Sequence, residues 1–149
     1  MTGGIATRVQ ITVPFIWLGM ALAISFLETP LRFRAPGLTV PLGLGIGRLV
    51  FRALNAVELA LAVVLTAAML ADHAGVSGRV APGALIALWA VLVGQVAVLR
   101  PRLDRRARRI LTGQITPRSH LHLAYITLEA AKVVLLTVLG GLLDMRVAA

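Results

Sequence analysis

Three glutamates, Glu28, Glu58 and Glu129, stand inside apolar stretches of a chain that has only six acidic residues in all. A carboxylate in lipid costs at least ~2.5 kcal/mol unless it is paired, protonated or held in a wet cavity. Their placement therefore points to a site. Other polar residues repeat around them at helical spacing. Arg48, Arg52, Asn55 and Glu58 follow i, i+4, i+7 and i+10. His122, Tyr125, Glu129 and Lys132 follow i, i+3, i+7 and i+10. Each set occupies one broad face of a helix. Gln95 is a further polar residue deep in an apolar run.

Several chemistries fit these residue types. Carboxylates and a histidine on facing helices hold hard or borderline metal ions, which makes Glu58, Glu129 and His122 the candidate set for a divalent metal, with Glu28 as a further ligand and His120 in reserve. Against it, the Glu-x-x-His pair of iron–carboxylate bundles is missing from the sequence, and His120 and His122 point to different helix faces. A proton or small-cation path is a second chemistry, because intramembrane acids commonly mark such routes. A third is acid–base or anion-binding work on an amphiphile, with Arg48 and Arg52 taking its anionic end. The plain alternative is mutual neutralisation: Glu129 with Lys132, Glu58 with Arg52 or Asn55, Glu28 with Arg32 or Arg34. His73, beside Asp72 in a connection, reads as solvated.

The elements that must position these groups are membrane helices. Hydrophobic residues make up 58% of the 149, and charged residues 14%, against about half and about a quarter in soluble domains. Four apolar runs reach the ~20 residues that a bilayer demands. The pattern predicts a single all-α membrane domain over residues 1–149, a polytopic four-transmembrane-helix bundle with helices over about 9–28, 48–70, 83–100 and 119–143. The first run, followed by Glu28-Thr29-Pro30 rather than a cleavage site, reads as a retained helix. Arg100-Pro101 reads as the stop of the third helix, and Ser119 after Pro117 as the cap of the fourth. With no cysteine in the sequence, disulfides and thiolate sites are excluded. Small residues such as Gly19, Ala21, Gly140 and Gly141 predict close helix packing.

Arginine counting sets the orientation. The first and third connections carry eleven arginines and the opposite side three, which places the two basic connections in the cytoplasm and both termini on the non-cytoplasmic side. Residues 30–47, with three prolines, four glycines and apolar residues between them, read as a connection that lies in the headgroup region or folds back into the bundle. Residues 101–118 read as a basic amphipathic cytoplasmic segment. Leu103, Ala107, Ile110 and Leu111 face lipid in this reading, and the arginines of 102–109 meet anionic headgroups. The net charge of +9 is assigned to the membrane and not to nucleic acid, since the basic run adjoins two membrane helices and lacks interleaved aromatics. In this frame all four helices place polar groups in the cytoplasmic half, and the outer half, nearly bare of them, reads as an apolar plug.

Two resemblances bear on these residues. Trp17-Leu18-Gly19, Ser25-Phe26, Pro30-Leu31-Arg32-Phe33, the run Gly45 to Phe51, Leu99 to Leu103 and Leu121-His122 together resemble the small four-helix membrane family typified by transmembrane protein 205. The likeness covers most of the chain and implies the four-helix architecture; that family's activity is poorly defined, and Glu58 and Glu129 do not map onto its motifs. Residues 52–58 are similar to the second-helix signature Arg-Ala-x-x-Asn-x-x-Glu of the membrane-associated eicosanoid and glutathione metabolism family. That likeness implies a trimeric enzyme in which Arg52, Asn55 and Glu58 help bind glutathione between protomers. Arg52 stands one residue nearer Asn55 than the signature has it, a turn of ~100° around the helix.

The sequence thus predicts a multi-pass protein of a bacterial inner membrane, assembled as a homo-oligomer. Its buried site is built on Glu58, Glu129, Asn55, His122, Gln95 and Arg52, with Glu28, Arg48 and Tyr125 nearby, and binds or transports a proton, a small cation or an amphiphile. A thiol-dependent enzyme acting on a lipophilic substrate, with glutathione or a similar thiol as cofactor, and an accessory subunit without a site are the alternatives.

Overall fold

Prolines that should end helices instead sit inside them. In the computed structural model, which describes residues 2–72, 79–114 and 120–148, the chain forms four long helices. Helix α1 combines Thr2–Ala21, Leu22–Glu28 and Thr29–Arg32; α2 is Val40–Ala71; α3 combines Val80–Val93, Gly94–Leu99 and Arg100–Leu111; α4 is Leu121–Ala148. All four are long and apolar enough to cross a membrane. Among the described residues there is no strand. His73, Pro117, Arg118 and Ser119 lie outside the described residues, as does the side chain of His122.

The helices overrun the predicted ends. Helix α1 continues through Pro30 to Arg32, and α3 through Pro101 to Leu111. A proline normally breaks a helix because it lacks the N–H for the i−4 carbonyl and its ring strikes that carbonyl. Here each proline follows a stretch of wide π-type turns, Leu22–Glu28 in α1 and Gly94–Leu99 in α3. The N–H of Thr29 reaches back five residues to the Ile24 carbonyl, and that of Arg100 to the Gln95 carbonyl. The wider turn makes room for the ring, so the helix carries on. Thr29 Oγ1 also donates to the Ile24 carbonyl at 2.9 Å.

Helix α2 begins eight residues before its predicted start. Thr39 is extended and its side chain accepts from the Leu42 N–H at 3.4 Å, with Pro41 in the first turn. That is a cap with a proline where a helix tolerates one. Residues 40–47 are therefore helix and not a re-entrant connection. Gly43 and Gly47, one turn apart, form a bare strip that lets the end of α1 pack closely. A Cβ at Gly43 would lie 2.6 Å from Phe33 Cε1, and one at Gly47 2.5 Å from Arg32 Nη1. The chain turns between α1 and α2 at Gly37, whose φ of 78° favours glycine.

Helix α1 packs against α2 and α4, and α4 against α1 and α3. The core between them holds Trp17, Leu65, Leu88, Leu92, Leu136 and Leu139, all without exposure. Outward-facing Ile5, Leu49, Val63, Ile86 and Val134 are each more than half exposed. An apolar exterior of this kind matches a hydrocarbon surrounding, not water. The buried leucines fill the end away from the two arginine-rich connections. Polar groups enter the core one level nearer the basic end.

Candidate functional site

Each of the four helices contributes a polar side chain to one buried group. Trp17 comes from α1, Glu58 from α2, Gln95 from the π-type turns of α3, and Glu129 and Lys132 from α4. None of the five is more than 1% exposed. Lys132 Nζ stands between the two carboxylates, 2.5 Å from Glu58 Oε1 and 3.0 Å from Glu129 Oε1. Trp17 Nε1 donates to the same Glu58 oxygen at 2.9 Å, and Gln95 Nε2 donates to Glu129 Oε1 at 3.0 Å. The wide turns of α3 begin at Gly94, so the backbone irregularity that admits Pro101 also carries Gln95.

Two carboxylates share one ammonium, so the fully ionised group holds one negative charge in excess. Both carboxylates use Oε1 alone. Among the described residues, Glu58 Oε2, Glu129 Oε2, Gln95 Oε1 and Asn55 Nδ2 are buried without a hydrogen-bond partner. A buried polar atom left unpaired costs ~1–3 kcal/mol, and three of these four are acceptors. One proton on either Oε2 cancels the excess charge and adds a donor.

Asn55 and Tyr125 lie one turn nearer the basic end. Tyr125 Oη donates to Asn55 Oδ1 at 3.4 Å, and its ring meets Phe51 edge-on with centroids 5.2 Å apart. Tyr125 also lines a cavity of about 310 Å³ that opens at the basic end between the start of α2 and the Arg100–Leu111 part of α3. Polar bonds tie its walls together. Arg48 Nε pairs with Asp104 Oδ1 at 3.2 Å, and Arg100 Nη2 donates to the Arg48 carbonyl at 3.0 Å. Arg32 forms a bidentate pair with Glu28 and reaches the Gly43 carbonyl at 3.3 Å.

The sequence-predicted residues thus separate into two levels. Glu58, Glu129 and Gln95 meet in the buried group, with Asn55 and Tyr125 beside it. Arg48 belongs to the cavity wall, and Glu28 is tied to Arg32 there. Arg52 joins neither level, since its side chain is exposed while Asn55 and Glu58 on the same helix are buried. Glu58 therefore pairs with neither Arg52 nor Asn55. Of the apolar residues in the segment after Pro101, Leu103, Ala107 and Ile110 line the cavity beside α2, while Leu111 is exposed on the outside of the bundle. Among the described residues no group of three His, Cys, Asp or Glu is placed to hold a metal ion. The position between Glu58 and Glu129 where such an ion would sit is taken by the Lys132 ammonium.

Sequence reasoning treats Lys132 only as a local partner of Glu129 and gives Trp17 no polar role. A signal for Lys132 is present all the same: it is the sole lysine beside fourteen arginines, and it stands in an apolar run. A compact ammonium on a flexible stem can reach both carboxylates as a point charge. Arg100, read in the sequence as a helix stop, and Arg106, read as one of the headgroup-facing arginines, both line the cavity.

Comparison of the chain with protein-family models, with characterised proteins and with solved structures finds no match.

Proposed function

We propose that the chain is a multi-pass protein of a bacterial inner membrane that binds a proton at Glu58, Glu129 and Lys132 and exchanges it with the cytoplasmic side. The observation that carries this reading is the sharing of one buried ammonium by two carboxylates whose outer oxygens are unpaired. A group with this surplus has two closely matched states. With a proton aboard it is neutral and suits its apolar surroundings. Without one it holds a single negative charge that draws a proton or small cation inward. The arginine asymmetry favours a cavity on the cytoplasmic side, and Tyr125, whose hydroxyl both donates and accepts, stands between the cavity and the carboxylates. The opposite end is packed with leucines, with the buried Gln10 bonded to the Ala68 carbonyl, which favours exchange from the cavity side.

Infrared difference spectroscopy on the protein in lipid tests this directly. A protonated carboxyl has a C=O stretch that a carboxylate lacks, and it shifts on transfer to heavy water. The band is expected in wild type, with an amplitude that follows pH, and is expected to vanish in the double variant Glu58→Gln, Glu129→Gln. A wild-type spectrum without that band at any pH the protein survives would make the group a permanent ion cluster with a purely structural role.

A further inference from the structure

We infer that the cavity at the arginine-rich end binds a single membrane lipid with an anionic headgroup. Four arginines line it: Arg32, Arg48, Arg100 and Arg106. Glu28 neutralises the first and Asp104 the second. Arg100 spends one Nη2 bond on a backbone carbonyl. Among the described residues Arg106, half-buried on the same helix, has neither a carboxylate nor a carbonyl partner. Two guanidinium charges therefore stand over the cavity without a counter-charge.

The rest of the wall is apolar. Phe33, Leu44, Phe51, Leu103 and Ile110 surround the space, and its volume of about 310 Å³ is at the small end of the ~300–1,000 Å³ typical of ligand sites. A free inorganic anion would satisfy the arginines and leave these walls wet. A zwitterionic lipid would cover the walls and bring its own cation to the arginines. An anionic lipid answers both, with its phosphate on Arg100 and Arg106 and the first methylenes of a chain along Phe51 and Leu103. Guanidinium pairs with phosphate in a bidentate, charge-assisted manner. The site lies at the polar end of the apolar spans, where headgroups are. Helix α3 supplies both parts because it continues past Pro101; had it stopped there, the arginines and the apolar face of Arg100–Leu111 would have no cavity to share.

This inference is separate from the proton reading, and its variants leave Glu58, Glu129 and Lys132 in place. The experiment is native mass spectrometry, alongside thermal unfolding, of the full chain in detergent with phosphatidylglycerol, phosphatidylcholine or sodium phosphate added. Phosphatidylglycerol is expected to stay bound at one molecule per chain and to raise the unfolding temperature, while the other two do neither. Arg106→Gln should weaken retention about tenfold, the loss of one charge-assisted contact. The exposed Arg52→Gln should leave retention unchanged. Ile110→Trp keeps every charge but fills the space, and should lose the lipid as well. Equal losses from Arg106→Gln and Arg52→Gln, retention by Ile110→Trp, or stabilisation by phosphate matching that by phosphatidylglycerol would each overturn the site.

Discussion

Lys132 on α4 reaches across the bundle to Glu58 on α2, 74 residues away, with a 2.5 Å contact between two fully buried side chains. The same ammonium holds Glu129 on its own helix at 3.0 Å. The cross-helix contact ties α4 to α2, while Trp17 and Gln95 attach α1 and α3 to the same two carboxylates. The centre of the bundle is thus held by charge-assisted bonds, and the leucine core lies beyond it.

Lys132→Met should be the most damaging single change in the group. It leaves two carboxylates buried without a cation, and breaking a buried pair in this manner costs ~3–5 kcal/mol. Glu129→Gln should behave differently. It removes the surplus charge, keeps the Lys132–Glu58 pair intact, and leaves an amide oxygen to accept from Gln95, so stability should change by less than ~1 kcal/mol. Unfolding in mixed micelles of rising dodecyl sulfate content gives both values. A Glu129→Gln protein as weak as Lys132→Met would mean that Lys132 depends on both carboxylates equally.

The two tryptophans should separate in the same assay. Trp17→Phe removes a donor to a charged oxygen in a site of zero exposure, and a bond of that kind contributes ~1.5–3 kcal/mol. Trp89 is half-buried and donates to the Thr66 hydroxyl at 3.0 Å, a neutral bond. Its replacement by Phe should cost ~0.5–1.5 kcal/mol. Fluorescence of a Trp89→Phe protein, in which only Trp17 emits, should resist an aqueous quencher; ready quenching would place water at the Glu58 group.

Much of this is legible in the sequence, and the misses have physical causes. The four helices follow from hydropathy, and Glu58, Glu129 and Gln95 stand out because a polar residue in lipid is conspicuous. Pro30 and Pro101 mislead about the helix ends, since the wide turns that admit a proline leave no mark in composition. Residues 40–47 look like a loop because glycine and proline weaken helices in water, whereas here Gly43 and Gly47 let Phe33 and Arg32 approach. Arg52 groups with Asn55 and Glu58 in the sequence because a face spanning ten residues covers too wide an arc. The partner of Glu58 could not be read locally, for it comes from another helix.

The glycines of α2 offer a test of close approach. A methyl group added at Gly45 would meet nothing within 4 Å, so Gly45→Ala should be neutral or should stabilise by up to ~1 kcal/mol through helix propensity alone. Gly43→Ala gains the same propensity but drives a methyl group into the Phe33 ring and against Leu38. Overpacking of that kind costs ~1–3 kcal/mol, so the net effect should be a loss. Comparing the unfolding midpoints of the two variants checks this. Equal midpoints would show that the end of α1 is not held against α2.

For Arg52, Asn55 and Glu58 to bind a thiol between protomers, all three would have to face a neighbouring copy. Only Arg52 faces outward; Asn55 is 3% exposed and Glu58 is fully buried. Turning Glu58 outward would abandon Lys132 and Trp17 together, at a cost of the ~3–5 kcal/mol that a broken buried pair carries. Millimolar glutathione should therefore leave the unfolding temperature of the wild-type protein unchanged, and Arg52→Gln should alter stability by less than ~0.5 kcal/mol, as exposed substitutions do. A glutathione-dependent rise that disappears in Arg52→Gln would require a second arrangement of α2, with the Lys132 bridge open.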